Sequence, residues 1–185
     1  MSNICLLAIE FIDTDFLQFL RTEIENEILL SVEIGNAYFD PQFAFSPSRS
    51  QYHSTLILSR LLQFMPDQYQ KVIGITSLDL FIPVLTFVFG EAQLNGRAAV
   101  VSSFRLHNEF YGMPQNKKLF KERHLKEGMH ELGHTFGLIH CPDYNCVLHP
   151  STYVGEIDLK TSHFCTICKN MLFQRIKNND TLDLL

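Results

Sequence analysis

HELGHTFGLIHC, residues 130–141, decides how the rest of the chain is read. His130 and His134 are four apart, so on a helix both imidazoles project from one face and can meet a single ion. Gly137 follows as a helix stop, because glycine tolerates the left-handed conformation that ends many helices. The chain can then double back and bring in His140 as a third nitrogen ligand. Three protein ligands leave a fourth position open, the pattern of a catalytic zinc and not a structural one. Glu131 stands about 100° round the helix from His130, placed to touch a metal-bound water and act as its general base. A surface helix with scattered histidines is the plain alternative. Gly137 and His140 argue against it, since they extend the bare HExxH match at the required spacing. Three imidazoles with a glutamate base and no carboxylate ligand suit zinc better than iron or copper.

Cys141 comes directly after the last histidine and opens a second constellation. Cys141, Cys146, Cys165 and Cys168 read C-x4-C, eighteen intervening residues, then C-x2-C. Four thiolates from two such knuckles make a closed tetrahedral zinc site without room for substrate, so a structural role is expected. The tail after Gly137 has few long apolar runs, and a metal crosslink would replace part of a missing core. Two disulfides and an iron–sulfur cluster are the alternatives. The fifth thiol, Cys5, sits in an apolar run and reads as a small buried hydrophobe. His149 and His163 read as exposed loop residues, and Tyr153 as packing.

Working outward, Ile4 to Ile9 reads as a buried strand. Phe16, Leu17, Leu20, Ile24 and Ile28 recur at helical spacing over Asp15 to Ile28, with Asp13, Thr14 and Asp15 as cap candidates. A strand is expected over Leu30 to Phe39 and a loop over Pro41 to Pro47. A helix follows from about Ser48 to Phe64, carrying Leu56, Leu58, Leu61 and Leu62, then a short strand at Val72 to Ile75. Phe87 to Leu94 and Arg97 to Leu106 read as a strand pair joined by the two-residue hairpin signal Asn95-Gly96. Tyr111 to Gln115 is a loop. A long helix starts near Asn116 or Lys117 and ends at Gly137, and a short one is expected around Lys169 to Ile176. The order β-α-β-α-β-β-β-α predicts an α+β protein, a mixed sheet with helices packed on it.

The composition is 46% hydrophobic and 19% charged, which allows a real core and argues against wholesale disorder. A net charge of −5 without a dense basic run argues against nucleic acid as a partner. The N-terminus lacks a basic region before its apolar run, so it reads as a strand and not a signal peptide. The longest apolar run, near Phe81 to Phe89, is far too short to span a bilayer. A cytoplasmic protein without a membrane partner is expected.

HELGHTFGLIHC, with C-x4-C and C-x2-C behind it, resembles the archaemetzincin branch of the metzincin metallopeptidases. FVFGEA and AVVSSFRL are similar to the strand pair that precedes the active-site helix in that family. The resemblance covers about Phe87 to Cys168, while the N-terminal third matches in its order of elements. It implies a single metallopeptidase domain over residues 1–185: a sheet-and-helix part to residue 137 and a small zinc-stapled part over 138–185. It implies a zincin-like twisted mixed sheet whose antiparallel edge strand, Phe87 to Leu94, lies over the cleft and can pair with an extended peptide. Two zinc ions are implied, a catalytic one on His130, His134 and His140 and a structural one on Cys141, Cys146, Cys165 and Cys168. One position departs from the family: Leu148 stands where a methionine underlies the catalytic zinc. Leu and Met are close in volume, so the cost is expected below about 1.5 kcal/mol.

The expected function is therefore a zinc-dependent peptidase in which Glu131 activates a zinc-bound water. The alternative is a non-catalytic zinc protein that binds peptide or protein termini through the same cleft. The intact Glu131 favours the first, because a binding module has no need of a base there. A peptide or protein substrate and a monomeric state are expected.

Overall fold

The computed structural model describes residues 4–11, 13–37, 39–64 and 68–182. Strand β1 (Ile4–Ile9) is buried along its whole length, so its side chains are apolar on both faces. Helix α1 (Thr14–Ile28) starts where the Asp13 side chain accepts from the Phe16 N–H at 2.9 Å. It buries Phe16, Leu17, Leu20, Ile24 and Ile28, the stripe expected from their spacing. Strand β2 (Val32–Asn36) follows, and Tyr38, within the stretch expected to be strand, lies outside the described residues. A 3-10 turn (Pro41–Ala44), β3 (Phe45–Ser46), β4 (Gln51–His53), α2 (Ser54–Phe64), β5 (Lys71–Thr76), β6 (Leu80–Phe81), β7 (Gly90–Ala92) and β8 (Ala98–Ser102) complete the N-terminal half. Two 3-10 turns lead into α3 (Lys117–Thr135), after which come α4 (Val154–Leu159) and α5 (Thr166–Leu182).

The main sheet has the order β2-β1-β5-β8-β7. Its first four strands are parallel and β7 pairs antiparallel to β8, which leaves β7 at the edge. On one face lie α1, α3 and the C-terminal segment. There Leu20, Ile24, Leu132 and Phe136 share one core with Cys146, Leu148, Phe164 and Leu172. On the other face α2 packs Ile57, Leu58 and Leu61 against Leu7, Val72 and Val100. The mixed sheet with an antiparallel edge strand is thus present as expected. Among the described residues, no helix is long and apolar enough to cross a membrane.

Several boundaries move for physical reasons. The helix expected from Ser48 starts at Ser54, because Gln51–His53 pair as a strand with Leu80–Phe81 in a small sheet ordered β3-β4-β6. Its buried stripe is Ile57, Leu58 and Leu61, while Leu56 faces solvent. Pro41 to Pro47 is a 3-10 turn and a short strand, not a featureless loop. The expected strand Phe87 to Leu94 is reduced to Gly90–Ala92, with Val88 bridging to Leu80 in the other sheet. The strand expected over Arg97 to Leu106 stops at Ser102, where the chain turns into a 3-10 helix. Asn95-Gly96 does lie in a hairpin, but a wider one: the turn bond runs from the Gly96 N–H to the Gln93 carbonyl, with Asn95 at φ 53°. The C-terminal helix is twice as long as expected, and α4 carries no periodicity long enough to announce it.

Candidate functional site

Helix α3 begins at Asn116, whose side chain accepts from the Leu119 N–H at 3.0 Å. From Arg123 onward it is buried on nearly every side, yet many of its buried side chains are polar. Buried polar groups need partners, and most of these have them. Arg123 forms a bidentate pair with Asp158 at 2.7 Å and donates to the Leu106 carbonyl and Asn108 Oδ1. Lys126 donates to the Ile157 and Asp158 carbonyls. Glu127 meets the Lys160 ammonium at 3.0 Å, both groups almost fully buried. These contacts clamp α4 onto α3.

The helix ends as the sequence predicts, with Gly137 at φ 83°. The end is held from the sheet side. The Asn95 N–H donates to the His134 carbonyl at 2.9 Å, and Lys71 Nζ donates to the Thr135 and Gly96 carbonyls at 2.9 and 2.7 Å. The last turn of α3 and the β7–β8 hairpin are thereby fixed to each other.

His130, His134 and His140 converge, with ligand atoms all within 4.8 Å of one another. The Nε2 atoms of His130 and His134 are 3.1 Å apart. A tetrahedral zinc with Zn–N bonds of about 2.0–2.1 Å sets nitrogen ligands roughly 3.3 Å apart, so the spacing fits. The other ring nitrogens are already engaged, His130 Nδ1 with the Val147 carbonyl at 2.9 Å and His134 Nδ1 with the Leu138 carbonyl at 2.7 Å. Each contact makes Nδ1 the donor and turns Nε2 toward the shared centre, the usual way ligand tautomers are set. Burial lowers the pKa of all three imidazoles, most strongly for His130, where the nearby Lys160 ammonium adds to it. They are held in the neutral form that binds metal.

Glu131 is buried beside them, and its carboxyl pKa is raised well above the usual range, first by burial and then by Glu127 and Glu91. Its side chain lies under β7. A Cβ added at Gly90 would sit 2.7 Å from Glu131 Cγ and 2.8 Å from its Oε1. Glu131, His130 and His140 face a cleft of about 510 Å³, bounded above by Ile82 to Glu91 and on the far side by Pro150 to Thr152.

Cys141, Cys146, Cys165 and Cys168 form the second group, again with ligand atoms within 4.8 Å. Cys141 and Cys165 Sγ are 3.9 Å apart. That distance excludes a disulfide, whose sulfurs lie about 2.05 Å apart, and it matches the roughly 3.8 Å expected between thiolates on one tetrahedral zinc. Glu27 of α1 fastens this knuckle, accepting from the Phe164 N–H, His163 Nδ1 and Lys169 Nζ. Leu148 is fully buried, and the Leu148 carbonyl accepts from the Cys141 N–H at 3.0 Å. The turn carrying it thus lies between the two groups.

Neither flanking histidine joins the thiols. His149 Nδ1 bonds to the Cys141 carbonyl and His163 pairs with Glu27. Cys5 is buried as expected, its thiol pushed up to about 11 by burial and then by Glu33. Tyr153 is 56% exposed, with its ring lying over Gly155, where an added Cβ would meet Cε2 at 2.6 Å. Three residues around the histidine centre and Glu131 escaped the sequence reading. Glu127 had a usable signal, since it lies one turn before Glu131 on the same face. Lys160 and Gly90 had none, because both meet α3 only through the fold.

Residues 14–175 match the sequence profile of peptidase family M54. The archaemetzincin of Methanocaldococcus jannaschii is 40% identical over 173 residues, covering 94% of each chain. Among solved structures, archaemetzincin from Methanopyrus kandleri superposes with a TM-score of 0.84 at 37% identity, covering 95% of this chain and 96% of that one. A zinc-dependent peptidase from Methanocorpusculum labreanum superposes at 0.79 with 28% identity, covering 92% and 100%.

Proposed function

Because the chain belongs to peptidase family M54, and is a zinc metallopeptidase of the archaemetzincin kind, we propose that His130, His134 and His140 hold its catalytic zinc and that Glu131 is its general base. The observation that carries this reading is the convergence of three imidazoles beside a buried glutamate, with His130, Glu131 and His140 lining one cleft. When bound, the zinc supplies a Lewis acid that polarises the scissile carbonyl and makes water a competent nucleophile near neutral pH.

The chain's own residues do the rest. Glu131 takes a proton from the attacking water and delivers it to the departing amine nitrogen. The free edge of β7 offers backbone groups to an extended peptide, which would lie across the cleft as an added strand. The four thiolates would hold a second, structural zinc that fixes the turn between His140 and Leu148. A role limited to binding peptide ends has less support, because it leaves the buried glutamate at the histidine centre unexplained.

Metal analysis paired with a peptide-library cleavage assay on wild type and Glu131→Ala tests the assignment. Two zincs per chain, with cleavage lost in the variant, is the expected result. Two zincs without cleavage by wild type would favour the binding module. Unchanged zinc content after Cys165→Ser and Cys168→Ser would refute the structural site.

A further inference from the structure

A second groove, of about 480 Å³, shares His140 with the catalytic cleft as a lining residue. Its walls are the turn Leu138 to Asp143 and the stretch Cys165 to Met171 at the start of α5, so Cys141, Cys165 and Cys168 of the thiol cluster lie along its base. Ile139, Ile167 and Met171 line it and stand 66%, 72% and 39% exposed. Single exposed apolar side chains are ordinary, but three around one concave surface form an apolar patch of the kind that suits an apolar ligand group.

Continuity identifies the occupant. His140 lines both the cleft and this groove, so the two adjoin at the histidine centre that a bound peptide would cross. The direction follows from β7. That strand runs from Gly90, which lies against Glu131, toward the hairpin, where the Asn95 N–H is bonded to the His134 carbonyl. A peptide added antiparallel runs the opposite way. Its amino-terminal residues then lie near the end of α3, where the groove begins at Leu138. We propose that this groove is a subsite for an apolar side chain on the amino-terminal side of the scissile bond, with Ile167 and Met171 as its specificity-determining residues. The proposal rests on the peptidase reading above and adds a substrate class to it: peptides with Leu, Met or Phe shortly before the cleaved bond.

The test uses zinc-loaded full-length protein and peptide libraries in which each position before and after the bond is varied in turn. One amino-terminal-side position should prefer Leu, Met or Phe over Asp or Lys by about tenfold in kcat/KM, as half-open burial of such a side chain allows. Ile167→Gln combined with Met171→Gln should bring that ratio close to one. Leu56→Gln, an exposed apolar residue on α2, should leave it unchanged. A peptide with Leu and its counterpart with Asp at each such position are also titrated by fluorescence anisotropy against zinc-loaded Glu131→Gln protein, which separates binding preference from turnover. There the double variant should weaken Kd for the Leu peptide about tenfold, toward that of the Asp peptide, with zinc content and Tm retained.

If wild type cleaves nothing but the binding preference is seen and is lost in the double variant, the peptidase reading fails and the subsite stands. If wild type cleaves with no apolar preference before the bond, or the preference survives both substitutions, the subsite is refuted and the peptidase reading stands. Absence of both cleavage and binding refutes both.

Discussion

Gly90→Ala is the sharpest probe of how the sheet positions the proposed base. The added Cβ would lie 2.7 Å from Glu131 Cγ, 2.8 Å from Glu131 Oε1 and 2.8 Å from the Val100 carbonyl oxygen. Carbon contacts are comfortable at about 3.5–4.0 Å, so something must move by roughly 0.7 Å or more. Val100 pairs with Glu91 inside the ladder, and shifting its carbonyl would open the β7–β8 pairing. The Glu131 side chain is the softer neighbour and takes the displacement. Misplacing a reacting group by about 1 Å costs on the order of 10²-fold in rate. We therefore expect kcat to fall about 100-fold with KM little changed, and stability to fall by about 1–3 kcal/mol from overpacking. The histidine Nδ1 bonds are untouched, so zinc content should stay at the wild-type level. The assay is steady-state cleavage together with metal analysis and thermal unfolding. The same substitution in a Glu131→Gln background, followed in single turnover, should cost little more. Wild-type kcat in Gly90→Ala, or an activity loss matched by zinc loss, would refute the steric argument.

Two further perturbations follow from the buried polar groups of α3. Lys160→Met leaves Glu127 without its counter-charge in a nearly dry site and should destabilise by about 3–5 kcal/mol in chemical denaturation. Lys160→Met with Glu127→Met should recover much of that loss, and no recovery would show that the pair is not coupled. His124 is fully buried among Phe11, Phe16 and Phe120, and neither ring nitrogen has a hydrogen-bond partner among the described residues. Burial lowers its pKa to about 3 from the model-peptide value of 6.5. The unfolded chain takes up a proton below about pH 6.5 that the folded chain refuses until about pH 3. Stability present above the first value is therefore lost as pH falls, at up to about 1.4 kcal/mol per unit from this residue. His124→Phe should flatten the dependence of Tm on pH below 6.5, and an unchanged slope would remove His124 as the cause.

The zinc-motif residues were legible because their geometry is local. A helix puts His130 and His134 on one face whatever surrounds it, Gly137 ends it, and His140 follows within a single turn of chain. The cysteine knuckles are legible for the same reason, each pair being close in sequence and needing little from the fold. The α1 stripe also survived, since five apolar side chains at helical spacing have one sensible face to bury. Boundaries failed where pairing between distant segments outweighed local preference. Gln51–His53 is a strand because Leu80 and Phe81 lie beside it, and β7 is short because Val88 is drawn to Leu80 in the second sheet.

By itself, then, the sequence determined which side chains could share a metal, because ligand spacing within one helix and its following turn is a matter of local geometry. The tertiary structure decided what surrounds them. Lys160 reaches Glu127 from more than thirty residues away, Gly90 admits Glu131 beneath the edge strand, and α5 brings Ile167 and Met171 into one groove with His140. Such contacts depend on how separate elements pack, and no spacing along the chain encodes them.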